Sequence, residues 1–209
     1  MNESLNDQIV GGMFFEVPSL LATSEWQTVP WKTQKKTDFH KLFDDLALLP
    51  TLLRASRGIR TTEQNVWFDQ LYGQVDASLD AWLDYLTAKG NAHSNVSSAA
   101  GELHSCDLTH VQMMTLCWEA KLLCYKAVKR VTPQVPSRQF EGYADNICSA
   151  CKFMQLDEFG IIGMQFSIMP ALIARAFYED GGFVEKLRMC DESLGKLARR
   201  PFSFLSVYK

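Results

Sequence analysis

Residues 107–131 read DLTHVQMMTLCWEAKLLCYKAVKRV, and apolar side chains return there at three- and four-residue steps on most sides of a helix. Asp107 is a favourable N-cap, and Pro133 ends the pattern because proline disfavours helical backbone before it. A helix that is apolar nearly all round lies in the middle of a domain, since none of its faces suits water. The stretch therefore predicts a central, buried helix.

Similar patterns on both sides of this stretch predict further helices. The predicted ranges are about 38–57, 62–88, 107–131, a segment beginning near 137, about 161–179 and about 182–199. Thr61 and Gln64 fit a capping box at the start of the second, and Gly90 is its expected stop. We expect a kink or break at Pro50 and a kink at Pro170, since both prolines fall inside helical patterns. No convincing alternating pattern predicts a strand, so the expected fold is all-α, an irregular domain of about six helices.

The first 37 residues lack this periodicity. They carry prolines, a Gly11-Gly12 pair and several aromatic residues, which favours an irregular arm over 1–37 packed on the body. Residues 38–209 are then expected to form a single helical domain. Residues 90–106, rich in Asn, Ser, Gly and Ala, are predicted to form a loop within it.

Composition narrows the class of protein. The net charge is −3 over 209 residues, and the short basic stretches suit solvated helix ends, so a dedicated nucleic-acid binder is not expected. The six cysteines fall mostly in apolar helical patterns, and the N-terminus lacks the pattern of a signal peptide. We therefore expect an intracellular protein, nuclear or cytoplasmic. The apolar run 159–177 contains Gln165, Pro170 and Arg175, which favours a buried core helix over a membrane span.

Motifs that would carry metal or cofactor chemistry are not recognisable. Cys148 and Cys151 form a CxxC without a second ligand pair, so buried thiols are favoured over a metal or redox site. The histidines show no metal-ligand spacing, and neither a P-loop nor a nucleophile elbow occurs. His104 and His110, with Glu102 and Asp107, form either an acid–base or metal site or, as we favour, a solvated helix start. The expectation is no bound metal and no cofactor, with the catalytic residues, if any, unknown.

Polar residues within apolar stretches provide the candidate site. Glu119 and Gln165 would orient a ligand if both faced one pocket, since buried polar groups need partners. The candidate pocket residues are Trp26, Trp31, His110, Trp118, Glu119 and Gln165. Alternatively, Glu119 lies on an exposed strip with Gln112, Thr115 and Lys126, and Gln165 bonds a neighbouring helix.

Several strings, in their order and spacing, resemble the C-terminal half of fungal zinc-binuclear-cluster transcription factors over about residues 25–205. They are EWQTVPW at 25–31, FHKL at 39–42, LLPTLL at 48–53, WEAKLLCY at 118–125, YADNIC at 143–148, GIIGMQF at 160–166 and EKLRMC at 185–190. The resemblance implies an all-helical regulatory domain that senses signals or contacts other proteins. The DNA-binding element of that family needs six closely spaced cysteines near the N-terminus, whereas the first cysteine here is Cys106. Direct DNA binding is therefore not implied.

Two functions follow as hypotheses. The first is a regulatory domain that binds a hydrophobic small molecule or a protein partner, with no membrane involved. The alternative is a cofactor-independent cyclase or isomerase of fungal secondary metabolism, which would work by positioning and one acid–base group in an apolar pocket. Whether the chain is an enzyme stays open. An enzyme should enclose the candidate residues in one cavity, and a regulator should show a broad apolar surface patch.

Overall fold

The computed structural model describes residues 16, 19–58, 61–94 and 108–198, and all regular structure in these ranges is helical. No strand occurs among them, so the predicted all-α class is confirmed. The α-helices are α1 (Ser24–Thr28), α2 (Asp38–Leu46), α3 (Leu49–Ala55), α4 (Thr62–Ser94), α5 (Leu108–Val131), α6 (Glu141–Met154), α7 (Gly160–Gly181) and α8 (Val184–Ala198). Short 3-10 turns occupy Leu20–Ala22, Val29–Trp31, Ser137–Phe140 and Asp157–Phe159.

The chain divides into two compact units. The first comprises Met1–Asp84 with Leu123–Val135, and the second comprises Tyr85–Leu122 with Pro136–Lys209. Helices α4 and α5 each contribute residues to both units.

In the first unit, the kink or break predicted at Pro50 is a break, and the segment predicted over 38–57 forms two helices. Helix α2 ends at Leu46, and Pro50 lies in the first turn of α3. Proline has no N–H to donate to the carbonyl four residues earlier, but it is tolerated in a first turn, where that N–H would be unpaired anyway. Both helices bury leucines, and Leu42, Leu46 and Leu49 are fully buried.

The predicted capping box at the start of α4 is present. The Thr61 backbone N–H donates to Gln64 Oε1 at 2.9 Å, and the Gln64 N–H donates to Thr61 Oγ1 at 3.3 Å. The predicted end at Gly90 is wrong, because the helix continues through Gly90 to Ser94. The loop expected over 90–106 is therefore helical in its first residues, and the rest of it lies outside the described residues.

In the second unit, α6 packs along α7, and α7 packs along α8. A Cβ added at Gly163 would fall far inside contact distance of the Met154 carbonyl oxygen and 2.7 Å from Phe159 Cβ, so this position of α7 needs a residue without a side chain. Gly182 ends α7 with a φ of 72°. Helix α8 starts at Val184, two residues later than predicted. Pro170 lies inside α7, which continues through it.

The N-terminal segment is more regular than expected. Where the arm over 1–37 was predicted to be irregular, residues 24–28 form α1, and Thr23 caps it by accepting from the Trp26 N–H at 3.3 Å. The Thr23 cap and the acidic Glu25 in the first turn both favour a helix start here, although the segment lacks apolar periodicity. Except for Glu16, the residues before Ser19 lie outside the described part of the chain.

Candidate functional site

The six candidate pocket residues are distributed over both units. Trp26 and Trp31 belong to the first unit, whereas the other four belong to the second. The two sets are therefore considered separately, and their common pocket stays a prediction.

The two tryptophans of the first unit form one aromatic cluster. The Trp31 indole N–H donates to the Trp26 carbonyl at 3.1 Å, and the rings meet edge to face at 6.1 Å. The His40 ring lies 4.5 Å from the Trp31 ring, and Lys36 Nζ lies 5.4 Å from its centre, within cation–π range. Both tryptophans are half-buried. The cluster therefore stabilises the turn between α1 and α2.

In the second unit, Glu119 is the buried acid of α5. Only 8% of its surface is exposed, and burial raises the pKa of its carboxyl to about 8. The carboxyl is therefore largely protonated at neutral pH. The exposed-strip alternative is wrong for Glu119 and for Thr115, which is buried one turn earlier.

The surroundings of Glu119 join three helices. Its charge contributes to raising the pKa of the buried Cys151 thiol on α6, although burial is the largest cause. The Cys151 thiol donates to the Ser167 carbonyl of α7 at 3.4 Å, and Gln155 Nε2 donates to Ser167 Oγ at 3.5 Å. The neutral carboxyl of Glu119 is therefore close enough to the Cys151 thiol to act on it electrostatically once it ionises. Such a group can donate a hydrogen bond or a proton.

The remaining candidate pocket residues do not all lie near these hydrogen bonds. His110 and Trp118 are half-buried on α5, and Gln165 is exposed on α7. The buried stripe of α7 runs along Gly163, Ser167, Pro170, Ala171, Ala174 and Tyr178. Gln165 falls off this stripe and is exposed, so its apolar neighbours do not enclose it.

The first turns of α7 expose apolar side chains next to the exposed Gln165, and the sequence analysis missed them. Exposed fractions are 48% for Ile161, 58% for Ile162 and 36% for Phe166, and Leu156 before the helix is also exposed. We call these four residues the outer face of α7. Residues 157–181 are long and apolar enough for a membrane span by length and composition alone, although the core helix of a soluble protein can have the same length and composition. The helix expected to be a buried core helix is buried along one side only.

A network of polar side chains links α6, α7 and α8 in the same unit. The Tyr178 hydroxyl donates to Asp145 Oδ1 at 2.8 Å, and Lys186 Nζ donates to both oxygens of Asp145 at 2.7 Å. Lys186 also pairs with Glu141 at 2.6 Å. The Cys148 thiol lies 3.8 Å from the Tyr178 hydroxyl. No sequence motif marks this network, because its members are 33 and 41 residues apart.

Among the described residues, no group of three or more His, Cys, Asp or Glu side chains is arranged to hold an ion. Of the possible site at the start of the central helix, Glu102, His104 and Asp107 lie outside the described residues.

Comparison with protein-family models, with curated proteins and with solved structures gives no match.

Proposed function

We propose that the chain is a helical regulatory domain that binds a protein partner through the outer face of α7 and does not bind DNA by itself. The observation that carries this proposal is the exposure of Ile161, Ile162 and Phe166 on one helix. Contiguous apolar patches of soluble proteins are commonly interaction sites. The resemblance to the regulatory region of fungal transcription factors, where the helical domain contacts other proteins, supports the same function.

The chemistry of the face favours one kind of occupant. Ile162 and Phe166 are one helical turn apart, a spacing that suits the apolar stripe of a partner helix. Asp157 and Glu158 provide two acidic residues in the turn just before α7. We therefore infer an amphipathic helix with basic residues at one end. The same acidic residues disfavour an anionic membrane surface.

A labelled model peptide tests this inference. The probe is a helical peptide of about five turns with leucines on one face and lysines at one end, titrated with the whole chain in a fluorescence anisotropy assay. We expect saturable binding. A scrambled peptide of the same composition, and one with glutamates in place of the lysines, should each bind at least about tenfold more weakly.

Matched surface variants locate the binding. Ile162→Glu and Phe166→Glu should each weaken binding by about tenfold or more, because each places a charge in the apolar contact. Val184→Glu is the control, since Val184 is 73% exposed on α8, outside the face. Equal loss with the control would overturn the assignment. Two other results would also overturn it. One is sedimentation showing that the chain is a homodimer that Ile162→Glu dissociates. The other is binding of the chain to uncharged lipid vesicles that Ile162→Glu abolishes.

Glu119 supports a second candidate function, a cofactor-independent cyclase or isomerase. A carboxyl with a pKa of about 8 is poised to donate a proton near neutral pH. Incubating the chain with extracts of the source organism and comparing masses tests it. Turnover that disappears in Glu119→Gln would favour the enzyme over the pure regulator, and saturable binding without turnover would count against the enzyme.

A further inference from the structure

Helix α8 runs back along α7 in the second unit. Only two residues separate the end of α7 from the start of α8, and the Cys190 thiol of α8 donates to the Ala171 carbonyl of α7 at 3.4 Å. Eight residues forward from Cys190 is Ala198, where α8 ends, and eight residues back from Ala171 is Gly163. Because both helices rise equally per residue, the end of α8 lies about level with Gly163. The chain therefore leaves α8 beside the first turns of α7, where the outer face lies.

The sequence after α8 begins with two cations and is then mostly apolar. Residues 199–209 read RRPFSFLSVYK, and they lie outside the described part of the chain. Pro201 disfavours helical backbone at Arg200, so the sequence predicts that the helical direction ends here. Beyond it, five of the eight residues 202–209 are large and apolar. A segment of this composition gains free energy by covering apolar surface.

The outer face offers apolar surface and opposite charge within reach of this segment. Ile162 and Phe166 are exposed near the level of Gly163. Asp157 and Glu158 are also exposed, in the turn just before α7. Eleven extended residues span up to about 36 Å, whereas a helix with its side chains is about 10–12 Å across. The segment is therefore long enough to cross α7 to its outer face.

We propose that residues 199–209 pack on the outer face of α7, with their phenylalanines against its apolar side chains and their arginines beside its acidic turn. This docking is independent of the proposed function, but its consequence rests on that function. The segment has the chemistry that we infer for the partner, namely apolar side chains with basic residues at one end. It therefore competes with the partner helix, which must displace it in order to bind.

A photocrosslinker on the face tests the docking in the whole chain. In Phe166→benzoylphenylalanine, ultraviolet light should join the tryptic peptides 153–175 and 200–209 within one molecule. Trypsin releases the second peptide because it cuts after Arg199 but not before Pro201. The control is Val184→benzoylphenylalanine, at an exposed position at the other end of α8, which should not give a link to 200–209.

Neutralising the acidic turn tests the charge contribution. In the Phe166 crosslinker protein, Asp157→Asn with Glu158→Gln should lower the yield of the link severalfold at low salt, because the arginines lose their counter-charges. Glu185→Gln with Glu192→Gln is the matched control on α8, since it changes the net charge equally and should leave the yield unchanged. An equal fall in both proteins would contradict the pairing with the acidic turn.

Removing the apolar side chains of the segment tests both the docking and the competition. Phe202→Ser with Phe204→Ser should lower the yield of the link severalfold, because the largest apolar contacts are lost. The same double variant without the crosslinker should bind the labelled model peptide severalfold more tightly than the wild type, because its competitor is released. Far-ultraviolet circular dichroism confirms that each variant is folded.

The two readouts separate this inference from the proposed function. Absence of the link, or a link between two molecules instead of within one, would overturn the docking. A peptide that binds the wild type and the double serine variant equally would overturn the competition. A peptide that binds neither protein, with the link present, would contradict the proposed function and leave the docking supported.

Discussion

Arg130 Nη2 donates to Glu16 Oε1 across 3.0 Å, although the two residues are 114 positions apart in the chain. Both belong to the first unit. The same guanidinium donates to the Leu53 carbonyl at 3.3 Å and to Ser56 Oγ at 3.2 Å, at the C-terminal end of α3. Glu16 also pairs with Arg57. One planar side chain from α5 therefore holds the end of α3 and an N-terminal residue together.

Replacing Arg130 should destabilise the first unit. Arg130→Met removes three hydrogen bonds and leaves the buried Glu16 carboxylate with one partner, and we expect a loss on the order of 2 kcal/mol in the free energy of unfolding. Arg130→Lys keeps the positive charge but not the planar set of N–H donors, so its free energy of unfolding should fall by less than that of Arg130→Met. Urea denaturation followed by circular dichroism measures both. Equal stability of all three proteins would contradict this role.

Glu119 should make stability depend on pH in a defined window. Its pKa is about 8 in the folded chain and 4.5 for the free group, so the folded state retains a proton that the unfolded state loses. The free energy of unfolding should fall by up to about 1.4 kcal/mol per pH unit as pH rises from 4.5 to 8, and level off above. Glu119→Gln, which stays neutral, should remove this slope and be the more stable protein at pH 8. Urea titrations at several pH values in this window test it, and parallel curves for the two proteins would contradict it.

Gly163 should tolerate no side chain. Gly163→Ala places a methyl group against the Met154 carbonyl, so α6 and α7 must move apart, at a cost of at least about 1–3 kcal/mol. Gly73→Ala in α4 is the control, because nothing lies within 4 Å of its added Cβ, and it should stabilise by about 0.5–1 kcal/mol. Thermal unfolding of the two variants should move in opposite directions. A neutral Gly163→Ala would show that the two helices do not approach this closely.

Tyr178→Phe should change the reactivity of Cys148. The Tyr178 hydroxyl helps to lower the pKa of the Cys148 thiol to about 7. Removing it should raise that pKa, so the rate of Cys148 alkylation by iodoacetamide should reach its half-maximum above pH 7. Labelling at pH 7 should then be severalfold slower. Tyr85→Phe, at an exposed position, should leave the rate profile unchanged. Superimposable profiles for Tyr178→Phe and the wild type would contradict the contribution of this hydroxyl.

The helical class was readable from sequence because apolar spacing is a local property. The capping box at Thr61 is local too, and it is present. The length of a helix also depends on residues that are distant in the sequence. Glycine at position 90 permits a helix as well as a stop, and nothing near it in sequence distinguishes the two.

The site was harder to predict, because burial depends on which side of a helix meets its neighbours. Glu119 and Gln165 both interrupt apolar runs, yet the first is buried and the second exposed. The surroundings of Cys148 were not predictable from the sequence, which draws attention to Cys148 and Cys151 as a pair. Only the packing of α7 against α6 brings the Tyr178 hydroxyl to 3.8 Å from the Cys148 thiol and leaves the Cys151 thiol bonded to the Ser167 carbonyl.

The missing side chain at Gly163 has a consequence for α7 beyond tight packing. If α7 rotated about its axis, a residue with a side chain would take the place of Gly163 at the contact with the Met154 carbonyl, and that side chain would clash there. Because the contact at Gly163 fixes the rotation of α7, Ile162 and Phe166 stay on the exposed side of the helix. Substitutions at these two positions could therefore change what binds there without altering the buried packing.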